Sequence, residues 1–398
     1  MLKRERPSLA GEAWLNEPRL QNVLRVLSND GEARVAGGAV RNALLGVPVA
    51  DVDLATTLLP EHVMRISKAA GFGVHPTGIE HGTVTIVHDG AAFEVTTLRK
   101  DIKTDGRHAV VSFTHNWTED AARRDFTFNA MYCDEIGKIY DFTKGYEDII
   151  KRKIRFVGVP SQRIREDNLR ILRFFRFHAH YGRGKPDADG FKACIRLKAG
   201  LKTLSAERVR QELLKLLTGS HAVKVLKLMA EAGILKIIIP HTDEWRVLCR
   251  LPVDALLRLF VLAKEPSALK NHLRLSNFDA DRLQSLSSAP EISPSLSQPE
   301  RRRLLYHIGT ERWRDAAHLS WAKSRAKSDD VNWSELLALP ETWMPLELPV
   351  KGADIVAAGF APGPEVGQVL AALEDWWVAS DFTQTKNDLL ARVGRYKD

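Results

Sequence analysis

EARVAGGAVRNALLGVPVADVDLAT, residues 32–56, decides the fold. EARVA reads as a short strand that runs into Gly37 and Gly38, residues 39–45 read as a helix, and DVDLAT alternates as a second strand. Glycine at such a strand-to-helix turn lets the backbone approach a ligand closely, and the helix N-terminus offers free N–H groups to a phosphate. Arg41 falls in the first turn, where it can reach the same anion. Most glycine pairs serve only turns; the DVD that follows points further. On a strand, positions two apart face one side, so Asp51 and Asp53 are expected to project together. Two carboxylates so placed repel unless a cation lies between them. Mg²⁺ suits them, since it takes carboxylate and phosphate oxygens at about 2.0–2.1 Å. Two such ions, roughly 3.5–4 Å apart, can activate an attacking hydroxyl and stabilise a leaving pyrophosphate. A bare DxD is more often two solvated acids on a strand face; the glycine turn and arginine upstream favour the metal reading.

On the N-terminal side, Leu20, Val23, Leu24 and Leu27 give residues 18–30 a helical period. On the C-terminal side, EHVMRISKAAG reads as a helix ended by glycine. TVTIVHD and AAFEVTTLR read as strands joined by an Asp-Gly hairpin turn. His88–Asp89 belongs to that turn. Glu94 alternates with Phe93 and Val95 and so faces away from them. If its strand neighbours DVD it completes an acidic trio; otherwise it is an exposed edge-strand glutamate. In ARRDFTFNAMY, the forks of Arg123 and Arg124 suit phosphate oxygens. The alternative for Asp125 is an Arg–Asp pair that fixes a helix end. The first 145 residues or so therefore read as a small mixed α/β domain.

From about residue 160 the pattern is helix after helix: EDNLRILRFFRFHAHY, AERVRQELLKLLTG and HAVKVLKLMAEAGIL. Asp167 and Arg170, three apart, are expected to be neighbours on one helix. Arg173 and Arg176 continue the row but drift by about 60° per step, so the four are not expected to touch one small ligand together. Leu169, Leu172 and Phe175 form a parallel apolar ridge. Spacing alone favours an amphipathic helix with a basic face. Base chemistry offers a sharper reading. A carboxylate accepts from the exocyclic amine of C or A while a guanidinium donates to the ring nitrogen, and U and G mismatch such a pair. SLSSAPEISPSLSQPE, near 285–300, is the best linker candidate, and the remainder is helical and Trp-rich.

A chain of 398 residues is too long for one ordinary core and implies two to four domains. The net charge of +8 points weakly to a polyanionic partner. Cys133, Cys194 and Cys249 lie far apart, which excludes zinc spacing and a disulfide framework and suits reduced thiols in the cytosol. MLKRERPSLAGEAW has no apolar core of a secretory signal, and no uncharged apolar run approaches a membrane span, so a cytoplasmic protein without a membrane partner is expected.

At these residues the chain resembles the class II tRNA nucleotidyltransferase and bacterial poly(A) polymerase family. The matching pieces come in the family's order: GGAVR (37–41), DVD (51–53), HGTVT (81–85), FEVTTLR (93–99), DGR (105–107), RRDFTFNA (123–130), DFTKGYEDI (141–149), EDNLRILR (166–173) and SAERVRQELLKLL (205–217). The resemblance implies an α+β chain with a polymerase-β-like nucleotidyltransferase head at 1–145. An all-helical neck with a nucleotide-templating helix (146–220), a body (221–290) and a tRNA-binding tail (291–398) would follow. It implies Mg²⁺ on Asp51 and Asp53 with Glu94 nearby. It implies nucleotide contacts from Gly37, Gly38, Arg41, Arg124, Asp167, Arg170, Arg173 and Arg176. GADIVAAGFAPGPEVGQVL in the tail is similar to the C-terminal segment of CCA-adding members. Three departures stand out: Asn42 where the family usually has Asp, Asn168 for the commoner Pro, and Phe174–Phe175 for small residues.

The resemblance implies template-independent addition of C, C and A to the 3′ end of tRNA from CTP and ATP, with Mg²⁺ and release of pyrophosphate. HGTVT and FEVTTLR look more like CCA-adding members than like poly(A) polymerases. A poly(A) polymerase, or a CC- or A-adding specialist, is the alternative on the same scaffold. A non-catalytic RNA-binding protein would have no need of two apposed carboxylates.

Overall fold

The computed structural model describes residues 7–105 and 108–396. Gly106 and Arg107 of the DGR motif lie outside the described residues. The chain forms two compact units, one of residues 1–240 with 272–274 and the other of 241–271 with 275–398.

The first unit opens with α1 (Pro18–Asp30), whose N-terminus is capped by the Glu17 carboxylate accepting from the Leu20 amide. Leu20, Val23, Leu24 and Leu27 are its buried stripe, as their spacing requires. Then come β1 (Ala33–Ala36), α2 (Gly38–Leu45), β2 (Asp53–Thr56) and α3 (Pro60–Ala69). They are followed by β3 (Gly73–Gly78), β4 (Thr83–His88), β5 (Ala91–Thr97), β6 (Arg99–Asp105) and β7 (His108–Phe113). Asp89 and Gly90 join β4 to β5 with φ of 47° and 78°, the left-handed pair that a two-residue hairpin loop needs. Next are α4 (Trp117–Arg123), β8 (Met131–Cys133) and β9 (Ile139–Asp141).

Seven strands form one sheet in the order β3-β4-β5-β2-β1-β8-β9, with β6 and β7 as a separate hairpin. Only β2 and β5 pair in parallel within that sheet. The strands β3, β6, β7, β8 and β9 are additions to the sequence reading. Proline and two glycines disguise β3, and β8 and β9 are too short to show alternation. One face of the sheet is closed by α4, where Ala36, Ala55, Trp117, Ala121 and Tyr132 form a buried cluster.

The rest of the unit is helical: α5 (Gly145–Ile150), α6 (Pro160–Glu166), α7 (Leu169–Tyr181), α8 (Ala188–Leu197), α9 (Ala206–Leu217), α10 (Ala222–Glu231) and α11 (Leu235–Ile238). Leu169, Leu172 and Phe175 are buried as expected, and so are Ile171, Phe174 and Phe177. Phe174 stacks on Phe156 at 5.5 Å, and Phe126 lies 4.7 Å from Phe156. Phe174 therefore packs α7 onto the segments that carry Phe126 and Phe156, while Phe175 lies 6.1 Å from Phe191 of α8. Each such ring contributes on the order of 2 kcal/mol by burial.

The second unit is helical from Trp245 to the last described residue. The Ser/Pro-rich stretch does not divide the chain as expected. It lies within this unit, and its Ile292 is buried with Leu305, Trp313 and Ala316. One apolar side chain in a polar loop suffices to pin it, which composition does not reveal. A further cluster gathers Val350, Ile355, Leu373, Trp377 and Leu389 near the C-terminus. Among the described residues, no helix is long and apolar enough to cross a membrane.

Candidate active site

The sheet register builds the acidic side. Ala36, the last residue before the glycines, lies opposite Asp53 across β1 and β2. On the other side of β2, Leu54 pairs with Val95 of the parallel strand β5, which sets Glu94 beside Asp53 on the same face. The condition set for Glu94 is thereby met. Asp51 departs from expectation: β2 begins at Asp53, so DVD is not one continuous strand. Gly46 closes α2 in a left-handed conformation, Val47 bonds back to the Asn42 carbonyl, and Pro48 has no N–H to give to a ladder. Asp51 nonetheless comes close enough to act on its neighbour. Burial, then Glu94 and Asp51, push the Asp53 carboxyl above the usual carboxylate range, while Arg124 opposes them.

Gly37 has φ +65°, and a Cβ there would come within 3.3 Å of both Arg124 Nη1 and the Asn129 carbonyl. The turn therefore demands glycine. α2 follows with its N-terminus beside Asp53, and Arg41, in its first turn, is buried. The guanidinium donates to Asn42 Oδ1 at 2.8 and 3.1 Å, to Asn129 Oδ1 at 2.5 Å and to the Tyr181 hydroxyl at 3.2 Å.

The arginines opposite are braced by carboxylates. Buried Asp120 holds both Arg123 (2.7 Å) and Arg124 (3.1 Å) and accepts from the Tyr132 hydroxyl at 2.6 Å. Burial alone would raise the Asp120 carboxyl, but Arg124, Arg123 and that hydroxyl bring it down to about 2. Asp125 pairs not with its neighbouring arginines but with Arg173 on α7, at 2.5 Å. Arg173 and Arg176 also flank Glu212 of α9, Arg176 at 2.7 Å. These pairs tie the Arg123–Asp125 segment to α7 and α7 to α9.

Asp167 and Arg170 are not neighbours on a helix. Asp167 is extended (φ −155°) between α6 and α7. One of its oxygens accepts from the Leu169 amide at 3.1 Å and the other pairs with Arg208 of α9 at 2.7 Å. An aspartate just ahead of an apolar run serves as a helix-entry cap, and that use takes it off the helix. Arg170 pairs with Glu166 at 2.5 Å and donates to the Arg163 carbonyl at 2.9 Å.

Even so, the site residues converge. A cavity of about 500 Å³ is lined by Gly37, Gly38, Arg41, Asp53, Arg124, Asp167, Arg170, Arg173 and Arg176 together. That size lies within the range of small-ligand sites, about 300–1,000 Å³. The expected 60° drift along α7 does not separate the row, because the side chains are long and Asp167 approaches from outside the helix. Asp51 and Glu94 stand outside this lining. Asn129, Arg208 and Phe177 line the cavity as well, and Tyr181 and Glu212 support it from behind. Asn129, Arg208, Tyr181 and Glu212 act through partners distant along the chain, so no spacing singles them out, whereas Phe177 lies against Arg173 and Arg176 of its own helix.

Among the described residues, no three His, Cys, Asp or Glu side chains are drawn together as a ready-made metal cage. The acids suit a hard cation even so. Mg²⁺ takes one or two carboxylates and completes its shell with water and phosphate oxygens. Burial first, and then repulsion from Glu94 and Asp51, raise the Asp53 carboxyl, and such an ion relieves that repulsion.

Comparison with known proteins gives the following. The family described as Poly A polymerase head domain matches residues 33–155, and that described as probable RNA and SrmB- binding site of polymerase A matches residues 185–246. The mitochondrial CCA tRNA nucleotidyltransferase 1 of Danio rerio is 35% identical over 385 residues, covering 92% of this chain and 88% of the relative. A CCA-adding enzyme of Geobacillus kaustophilus is 32% identical, covering 93% and 94%. A crystal structure of the Bacillus stearothermophilus CCA-adding enzyme in complex with CTP matches with a TM-score of 0.74 at 30% identity, over 95% of this chain and 98% of that one.

Proposed function

Given that this chain belongs to the tRNA nucleotidyltransferase and poly(A) polymerase family and is a nucleotidyltransferase, we propose that it adds C, C and A to the 3′ end of tRNA from CTP and ATP. The observation that carries this reading is the single cavity that joins the glycine turn and Asp53 to Asp167 and Arg170. Similarity over most of their length to a CCA tRNA nucleotidyltransferase and to a CCA-adding enzyme supports the choice of product.

In each cycle the RNA 3′ hydroxyl attacks the α-phosphorus of the bound nucleotide, an O–P bond forms, and the bond to pyrophosphate breaks. Asp51 and Asp53, with Glu94 beside them, would hold divalent ions of the Mg²⁺ kind. Such ions supply charge for the attacking hydroxyl and for the leaving pyrophosphate. The residues of the chain do the positioning. Gly37 and Gly38 open the N-terminus of α2 to the triphosphate, and Arg41 and Arg124 donate to its oxygens. Asp167 keeps acceptor capacity beyond its bonds to Leu169 and Arg208, and Arg170 keeps N–H donors beyond those given to Glu166, Arg163 and the Arg123 carbonyl. These two face the Watson–Crick edge of C or A, which they accept and U or G mismatches. Arg173 and Arg176 complete the wall. We assign residues 1–145 to the head, 146–220 to the neck, 221–290 to the body and 291–398 to the tail, with tRNA held by the tail.

The test is incorporation of labelled CTP and ATP with Mg²⁺, onto a tRNA lacking its CCA end and onto an unstructured RNA. Two C and one A confined to the tRNA are expected. Long A tails would replace this reading with poly(A) polymerase, and no incorporation would leave an RNA-binding protein.

A further inference from the structure

The nucleotide cavity lies to one side of Asp53. Its lining comes from the glycine turn after β1, from Arg123, Arg124, Asp125 and Asn129 ahead of β8, and from Asp167, α7 and α9; no described residue of β3, β4 or β5 contributes. Glu94 of β5 stands on the other side of Asp53. In phosphoryl transfer the attacking and leaving oxygens are roughly in line across the phosphorus. With the triphosphate on the β1 side of Asp53, the attacking 3′ hydroxyl has to arrive from the β5 side. That side carries hydroxyls. Thr85 of β4 lies opposite Glu94 across the ladder, and Thr77 of β3 meets it, hydroxyl to hydroxyl, at 2.8 Å. Thr83 and Thr96, two positions from Thr85 and Glu94, form a second pair at 3.1 Å on the same face. Val84, Ile86, Phe93 and Val95 alternate with these residues and are buried on the opposite face, where α1 and α3 pack. Thr77 and Glu94 are exposed and Thr85 is half-buried.

We infer that the Thr77–Thr85 pair binds a ribose 2′ hydroxyl near the 3′ end of the acceptor RNA. This rests on the proposed nucleotidyl transfer at Asp53. Within the pair one hydroxyl hydrogen is used between the two oxygens, which leaves one hydrogen to donate and lone pairs to accept. A ribose 2′ hydroxyl is likewise donor and acceptor, and it is the group by which a protein tells RNA from DNA. Neutral hydroxyls also suit this place. A lysine or arginine in the row would pair with Glu94 and compete with a metal for it, whereas threonine leaves the carboxylate free. Neighbouring strands lie about 4.8 Å apart, so the pair is roughly 10–14 Å from Asp53, within reach of the last nucleotides of a strand whose 3′ hydroxyl is at the metals. The HGTVT motif, which gives the nucleotide cavity no residue, thereby gains a role through Thr85. For the ladder itself valine serves as well as threonine, so a change from threonine to valine on this face removes the hydroxyl and little else.

The experiment measures addition of labelled CTP at fixed Mg²⁺ by wild type, Thr85→Val, Thr77→Val and Thr85→Ser. The acceptors are a tRNA lacking its CCA end and the same tRNA with deoxyribose in its last two nucleotides. KM is read for each acceptor and for CTP. With wild type the deoxy acceptor should have a KM about three- to tenfold higher, the scale of one hydrogen bond. Thr85→Val should raise KM for the all-ribose acceptor by about as much and should lose most of the difference between the two acceptors, with KM for CTP unchanged. Thr77→Val should act in the same direction, and Thr85→Ser, which keeps the hydroxyl, should keep the difference. Lost discrimination between ribose and deoxyribose is the signature of contact, since a purely structural defect would weaken both acceptors alike. The inference is overturned if wild type treats the two acceptors equally, if the penalty for deoxyribose persists in full in both valine variants, or if KM for CTP rises in step with KM for the acceptor. Should Thr85→Val fail to fold, Thr77→Val decides by the same readings. A wild type that incorporates no CTP or ATP into any RNA would refute the proposed function; one that incorporates CTP, with valine variants that match it on both acceptors, would refute this inference alone.

Discussion

The two sides of the cavity are built on opposite electrostatic plans. At the sheet, Asp53 is raised first by burial and then by Glu94 beside it and Asp51 close by; Arg124 helps only through space. Along α7, each arginine has its own carboxylate, and burial of Asp125 is outweighed by Arg173, which holds that acid below its ordinary range. The sheet side is therefore poised for cations from outside. The helical side is nearly self-neutralised, so what it offers a ligand is fixed donor geometry rather than bulk charge. Acids on the two sides should answer to mutation in opposite ways.

The largest effect should come from Asp53→Ala. Activity should fall by about a thousandfold or more, given the several kcal/mol that a bound metal contributes to such a transfer. The metal-free protein should melt no lower than wild type, because the change removes a charge that the fold raises in energy. A clear drop in melting temperature would show that Asp53 is structural. Asp125→Ala should do the reverse on the other side. It leaves half-buried Arg173 with only Glu212, at 3.8 Å, and should cost about 1–3 kcal/mol of unfolding free energy, readable by denaturant titration. A loss below about 1 kcal/mol would show that the pair contributes no more than a surface contact does.

Next in size is Arg170→Ala. Loss of one donor to the base edge should relax selection of C and A over U and G by roughly ten- to a hundredfold, since a good bidentate contact discriminates by about 1–3 kcal/mol. Mg²⁺ binding should persist, measured by titration of the resting protein. Lost Mg²⁺ binding with unchanged base selection would move Arg170 to the metal side of the comparison.

Legibility in the sequence divides along the same line. The strand–glycine–helix–strand core was readable because alternation, helical period and the glycine turn are local properties, and so was the Asp89–Gly90 hairpin. Glu94 was readable conditionally, its face from alternation and its neighbour only from the sheet. Asp51 and Asp167 were found as residues but misplaced in structure, since Pro48 delays the strand and capping takes Asp167 off its helix. Glu212, Arg208 and Tyr181 were not singled out, because their partners lie as far as 140 positions away, between Arg41 and Tyr181, and no spacing rule spans that distance; Asp120 was missed although Arg123 and Arg124 follow it at three and four residues, a helical spacing that was open to reading. The resemblance to a family carried the site further than the residues alone did.

The smallest effect, and the most diagnostic, is in pH. Asp53 must be ionised to hold a cation, and its carboxyl titrates above the ordinary range. The Mg²⁺ concentration needed for half-maximal activity should therefore begin to rise while pH is still above ordinary carboxylate values. Below the Asp53 pKa it should climb by up to about tenfold per pH unit, the limit for one competing proton. Asp120 has the opposite sign. Its carboxyl is lowered to about 2 in the fold, so its stabilising contribution is complete above the unfolded value and is lost only as pH falls from there toward 2. That loss is on the order of 2 kcal/mol. A window should exist, between neutral pH and about 4, the ordinary aspartate value, in which the enzyme needs more Mg²⁺ while its unfolding free energy loses nothing to Asp120. Parallel decline of the two across that window would mean that the acids at the sheet and those bracing the arginines titrate as one group, and the contrast between the two sides would fail.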